Sequence, residues 1–271
     1  MTDMYVLISG GHTGVGLGLT KKLLVPGNKI GLIIRSEARK EEVISEFAEF
    51  PKELVDGIDF FYADLSDQSQ VKEVAAEVSA AWPHIDRLFN NAGILTDTGR
   101  KSQQGNELHL EINALAPYLL TQALKPLLLN AADAKVISTG TDRMHRRKLD
   151  IAPLMGATKK RALATYYQSK QAMMMLMNDM AASWDGVDFL TVNPGPNKTG
   201  MTTSSDAPAI IKFISRFFPD PSVGSKLLYN AGFAPKFADS NAVYITGNKI
   251  APIRSRMTAQ ENQALLAEIQ S

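Results

Sequence analysis

The chain has 271 residues, 45% of them hydrophobic, and a net charge of +1 from 29 basic and 28 acidic side chains. That is ample apolar material for one large α/β core, and too balanced a charge to draw the protein to nucleic acid or an acidic membrane. Cysteine is absent, which excludes disulfides, thiol catalysis and cysteine-ligated metal; a cytoplasmic protein with no metal site is expected.

No basic segment followed by an apolar stretch opens the chain, and its most apolar run, 172–177, falls far short of the roughly 18 residues of a membrane span. Short apolar runs alternate with longer segments of helical period, the pattern of repeated βαβ units around a parallel sheet. Seven strands are expected, near 5–9, 30–34, 59–63, 87–90, 135–139, 188–192 and 243–246. Helices are expected near 14–24, 39–50, 68–82, 104–128, 158–183 and 222–233, covering both faces of a doubly wound, Rossmann-type sheet. No linker or internal repeat divides residues 1–271, so one domain is expected. The segment 196–221 is irregular and proline-rich, and its Ile210, Ile211, Ile214, Phe217 and Phe218 suit a short helix that either packs on the core or closes over substrate as a lid.

Along this scaffold the polar residues recur at strand ends. Gly10, Gly14 and Gly16 follow the first strand and open the first helix, with His12, Thr13 and Val15 between them. Backbone N–H groups and the positive helix end there suit a pyrophosphate. The spacing G-x-x-x-G-x-G differs from the common G-x-G-x-x-G, though each glycine serves a similar purpose. The second strand ends in Arg35-Ser36, with Arg39 and Lys40 behind it. Arginine at this place accommodates a 2′-phosphate where an acid would bond a ribose hydroxyl, so NADP(H) is expected over NAD(H). Asp64 and Leu65 follow the third strand, where a carboxylate can meet an adenine amino group; equally, Asp64 belongs to a turn whose Ser66 or Asp67 caps the next helix. After the fourth strand Asn90-Asn91-Ala92-Gly93 forms a small polar turn suited to close cofactor approach, and Asn113 sits inside a helix that asparagine disfavours. Tyr166 and Lys170 stand one helical turn apart. A phenol ionises near pH 10, so a neighbouring ammonium is what would tune it for proton transfer.

In this order, together with Asn193-Pro194-Gly195 and Thr199, these motifs resemble the short-chain dehydrogenase/reductases over about residues 4–250. Ser9 stands where that family usually has threonine. Arg35, the phrase Tyr166-Tyr-Gln-Ser-Lys170 and a long insert with His145 and Leu149-Asp150 are similar to the retinol dehydrogenase-like and carbonyl reductase branch.

The resemblance implies reversible hydride transfer between a nicotinamide and a carbonyl or alcohol substrate. Tyr166 would move the proton, Lys170 would stabilise its phenolate and hold the nicotinamide ribose, and Asn113 would link Lys170 to solvent through water. It also implies that Gly10, His12, Thr13, Gly14, Val15, Gly16, Arg35, Asp64, Leu65, Asn91, Ala92, Gly93, Tyr166, Lys170, Pro194, Gly195 and Thr199 line the cofactor. The family serine that holds the substrate oxygen falls at Thr141, with Ser138 or Thr139 as alternatives if the register differs. Met201, Phe213 and Phe217 hint at an apolar small-molecule substrate. The methionines of 173–177 and Met180 suit either a homo-oligomer interface or core. Between 142 and 161 a run of lysines and arginines reads as a solvated loop or as a dock for an anionic ligand. A nucleotide sensor without turnover would share the fold, and the Tyr166–Lys170 pair argues against it.

Overall fold

The structure, a computed structural model, describes residues 3–97, 99–141, 149–150, 154, 162–197, 218–247, 249–253, 258, 260 and 263. Its strands are β1 (Met4–Ser9), β2 (Asn28–Ile34), β3 (Asp59–Tyr62), β4 (Arg87–Asn90), β5 (Ala134–Thr139), β6 (Val187–Asn193), β7 (Val243–Thr246) and β8 (Lys249–Pro252). They form one sheet in the order β3-β2-β1-β4-β5-β6-β7-β8, parallel except for β8. The winding reverses between β1 and β4, and in such sheets ligands bind in the crevice beyond the strands' carboxyl ends.

Side-chain alternation explains the layers. In β1, Val6 and Ile8 face one core while Leu7 faces the other. In β2, Ile30, Leu32 and Ile34 join Val6 and Ile8, whereas Ile33 joins Leu7. A strand buried on both faces needs apolar residues at every position, which is why these runs are continuous rather than alternating. The first core is closed by α4 (Gln68–Ala81), α6 (Ala116–Ala123), α7 (Lys125–Leu129) and α8 (Ala162–Ser183); α1 (Gly14–Leu23) and α9 (Pro221–Phe233) close the second. Each fully buried Leu, Ile or Phe contributes roughly 1.5–3 kcal/mol.

The structure departs from the expected elements in three places. An eighth strand, β8, completes a hairpin in which Thr246 pairs with Lys249. The sequence signal was the Gly-Asn pair between them, and Gly247 adopts φ +57°, the left-handed conformation that such a turn requires. The helix expected over 39–50 is shorter: a 3-10 turn (Glu37–Arg39) leads into α2 (Lys40–Ser45), and a separate α3 (Lys52–Asp56) starts after Pro51. The helix expected from 104 starts as α5 (Leu108–Leu110), widens into a π-turn (Glu111–Leu115), and breaks again between α6 and α7, where Pro126 stands at the start of α7. The methionine run proves to be core, since Met173, Met174, Met175, Met177 and Met180 are all buried within this chain.

No described helix is long and apolar enough to cross a membrane. Most of the 196–221 segment and nearly all of the basic 142–161 run, with the readings attached to them, lie outside the described residues.

Candidate active site

The ends of β1, β4 and β5 meet the N-terminus of α1 and one face of α8. Gly10 and Gly14 adopt φ +66° and +53°, which β-carbon-bearing residues rarely reach. A Cβ on Gly10 would stand 2.9 Å from Ala92 Cα, and one on Gly16 would collide with the Gly10 carbonyl. Across this close approach the Ser9 hydroxyl accepts the N–H groups of Asn91 and Ala92, both at 3.2 Å, while Asn91 Nδ2 donates to the Gly10 carbonyl at 3.0 Å. The glycine turn and the Asn-Asn-Ala-Gly turn are thus one unit.

Thr13, at the N-cap of α1, makes no side-chain capping bond, and the first turn holds no acidic residue. Helix N–H groups left uncapped, with no acid beside them, fit the pyrophosphate of a dinucleotide. Val15 is buried in the core, so only its backbone can face a ligand. Leu65 is partly buried against the first core.

Arg35 is 67% exposed, and its Nε lies 3.6 Å from Asp64 Oδ2. The other Asp64 oxygen accepts the Ser66 N–H (2.9 Å) and hydroxyl (2.7 Å), so Asp64 organises its own turn. Asp67, buried, caps α4 through the Ser69 N–H at 2.9 Å.

The catalytic candidates converge on β5 and α8. Lys170 is 3% exposed, and its Nζ donates to the Thr139 carbonyl at 2.9 Å. Burial pulls its ammonium down to about 8. Tyr166 is half-buried, and burial, reinforced by Tyr167, pushes its phenol up to about 12, against the opposing hydrogen bond with the Thr141 side chain. Desolvation is the largest influence on both groups.

Thr141 is the hydroxyl that reaches Tyr166. Thr139 instead donates to Asn91 Oδ1 at 3.2 Å, and Ser138 Oγ is buried without a hydrogen-bond partner among the described residues. The Thr141 carbonyl accepts the hydroxyl of buried Tyr244, 3.0 Å away on β7.

Asn113 lies in the π-turn, an element often found at functional sites. Its Oδ1 accepts the Ile94 N–H (2.8 Å), while Nδ2 donates to the Ile94 carbonyl and to Ser169 Oγ, both at 3.0 Å. Ser169 Oγ in turn donates to the Tyr166 carbonyl at 2.8 Å. Asn113 thus reaches the catalytic helix through Ser169. Gly93 sits beneath both groups: a Cβ there would lie 3.0 Å from Asn113 Oδ1 and 3.2 Å from Lys170 Nζ.

Pro194 is buried, and Gly195, at φ +78°, donates its N–H to Asn193 Oδ1 at 2.9 Å. Asn197, missed by sequence reasoning, holds this turn through the Pro194 and Gly195 carbonyls at 3.0 and 2.9 Å. Thr199 lies outside the described residues. Ser169 was visible in the sequence only as part of the Tyr-to-Lys phrase, and no sequence signal marked Tyr244.

Comparison with known proteins bears on this arrangement. Residues 4–209 match the family model for short chain dehydrogenases. Mouse retinol dehydrogenase 12 is 25% identical over 93% of this chain and 80% of its own length. A short-chain dehydrogenase/reductase of the fungus Armillaria gallica is 28% identical over 90% of this chain and 81% of its own. Among solved structures, the Pseudomonas aeruginosa RhlG/NADP active-site complex superposes with TM-score 0.70 at 18% identity, covering 92% of this chain and 96% of that one. A Burkholderia cenocepacia short chain dehydrogenase in complex with NADP gives TM-score 0.69 at 20% identity, covering 91% and 97%.

Proposed function

The chain belongs to the short-chain dehydrogenase family, and we propose that it is an NADP(H)-dependent oxidoreductase that reduces an apolar aldehyde or ketone, reversibly, with Tyr166 as general acid–base. The observation that carries this reading is the hydrogen-bonded Tyr166–Thr141 hydroxyl pair beside Lys170, at the sheet edge that also holds the glycine turn. NADP(H), when bound, would supply the hydride; the glycine turn, Asn91, Ala92, Gly93 and the Pro194-Gly195 turn would hold it.

The remaining chemistry belongs to the chain. A phenol held near pKa 12 is protonated at neutral pH, the state needed to give a proton to a carbonyl oxygen as it becomes an alcohol. Thr141 would orient that oxygen through its hydroxyl. The Lys170 ammonium, tied to the Thr139 carbonyl, would stabilise the phenolate left behind and hold the ribose. General acid–base catalysis of this kind is worth typically 10²–10⁴-fold. Arg35 supports NADP(H) over NAD(H), because it ends β2 exposed and is held to Asp64 by an ion pair of only 3.6 Å.

Tyr166→Phe removes the proton donor and little else. NADPH oxidation followed at 340 nm over a panel of carbonyl compounds is expected to fall by about 10³-fold, with NADPH affinity within a few-fold of the parent. Equal turnover by the variant overturns the assignment.

A further inference from the structure

A buried histidine and its carboxylate are not used by the chemistry above. His109, on α5, is fully enclosed, and Glu107, at the N-cap of that helix, is 5% exposed. The histidine ring bridges two groups: its Nε2 lies 3.1 Å from the Thr96 backbone nitrogen, and its Nδ1 lies 2.8 Å from Glu107 Oε1. A backbone N–H can only donate, so Nε2 is the bare, accepting nitrogen and the ring proton sits on Nδ1, where the carboxylate accepts it. The other Glu107 oxygen accepts the His109 N–H at 2.7 Å, which fixes the carboxylate at both ends. A ring protonated on both nitrogens has no acceptor to offer, so Thr96 is held by the neutral ring in this one tautomer.

What the ring holds lies next to the active-site groups. Thr96 stands three residues beyond Gly93, and the chain there passes beneath Lys170, since a Cβ on Gly93 would stand 3.2 Å from Lys170 Nζ. One turn further along the same helical segment, Asn113 grips Ile94 by both its N–H and its carbonyl. Ile94 and Thr96 are thus fastened to two side chains four residues apart, Asn113 and His109, and the strip is pinned at both points. Upstream of Gly93 the fastening is a different one, the Ser9 hydroxyl holding the N–H groups of Asn91 and Ala92 at 3.2 Å. Loss of the histidine's acceptor therefore slackens the side of the turn that underlies Lys170 and leaves the side that meets the glycine turn in place. On the reading of the chain as an NADP(H)-dependent reductase, we propose that His109, with Glu107 setting its tautomer, is a positioning residue for the reaction, keeping residues 93–96 seated beneath Lys170 and so governing turnover rather than cofactor affinity.

The test uses the whole protein, with turnover expressed per NADPH-binding site so that misfolded material drops out. His109→Phe fills the space without an acceptor, and its kcat is expected to fall about tenfold or more while NADPH Kd stays within about threefold of the parent's. His109→Gln restores an acceptor and is expected to recover most of that loss. Glu107→Gln is the milder variant and decides the matter where His109→Phe does not fold. One amide oxygen serves either the His109 N–H or the ring proton but not both, so two donors must face each other at residue 107 or at Thr96, and kcat is expected to fall about threefold to tenfold. NMR of the imidazole nitrogens, with the His109 signals identified by their absence from His109→Gln, is expected to show the parent's ring proton on Nδ1. A proton on Nε2, a kcat per site equal to the parent's in the deciding variant, a His109→Gln no better than His109→Phe, or an NADPH affinity that falls as steeply as kcat overturns the role of His109 and leaves the proposed reaction standing. Absence of NADPH oxidation by the parent over the panel of carbonyl compounds overturns the proposed reaction and the role of His109 together.

Discussion

Two buried lysines mark opposite ends of β5. Lys135, 2% exposed, opens the strand and is tied to the carboxylate of Asp188 and the Ala238 carbonyl at 2.6 Å, with Asp133 at 3.7 Å. Arg87 beside it is likewise bonded to Asp133 and to the Gly232 carbonyl. Lys170 meets the other end of β5 with one carbonyl, and no carboxylate among the described residues lies within ion-pair distance. A buried ammonium with its carboxylate holds the sheet together, whereas one without it costs stability and retains charge for another use. The difference separates a structural edge from a chemical edge within one sheet.

Exchanging each lysine for methionine tests that contrast. Lys170→Met is expected to lower turnover by 10²-fold or more. It should also raise the free protein's stability by about 1–3 kcal/mol in urea unfolding at pH 7, since relief of the buried charge exceeds the loss of one hydrogen bond. Lys135→Met should do the reverse, costing about 3 kcal/mol by stranding Asp188 and leaving the turnover of the folded fraction near the parent's. If both variants lose stability equally, the contrast fails.

The pH dependence sharpens it. Lys170 falls from 10.5 in the unfolded chain to about 8 in the fold, so between those values the unfolded chain binds more protons. Its contribution to stability must then rise as pH increases through that window. Lys170→Met is expected to lose this rise, read as the difference between the two proteins' unfolding free energies at pH 7.5 and 10. A smaller effect tests how the chemical edge is positioned. Tyr244→Phe removes the hydroxyl that holds the Thr141 carbonyl, and turnover is expected to fall about threefold to tenfold with NADPH affinity unchanged, at a stability cost of about 1 kcal/mol.

Much of the site was legible because its requirements are local. Gly10 and Gly14 are needed for backbone angles within one turn, and Tyr166 and Lys170 share a helix face by periodicity alone. The hydroxyl at Tyr166 was placed at Thr141 by the family resemblance, with Ser138 and Thr139 left open. Ser138, Thr139 and Thr141 are all present in the sequence, and only the packing of α8 on β5 shows that Thr139 turns to Asn91 while Thr141 meets Tyr166. The π-turn escaped notice because its extra residue leaves the hydrophobic pattern almost unchanged while aiming Asn113 at Ile94 and Ser169. Strand β8 is no shorter than β4 or β7, but its proline makes the run read as non-strand in the sequence, and only its place at the sheet edge accommodates it.

The amino-acid order by itself determined the alternation of strands and helices, the glycine turn and the pairing of a phenol with an amine, since each depends on residues close together in the chain. The tertiary structure alone decided how far the acidity of that pair departs from its ordinary values. Burial is contributed by distant segments, and it moves the phenol up and the amine down.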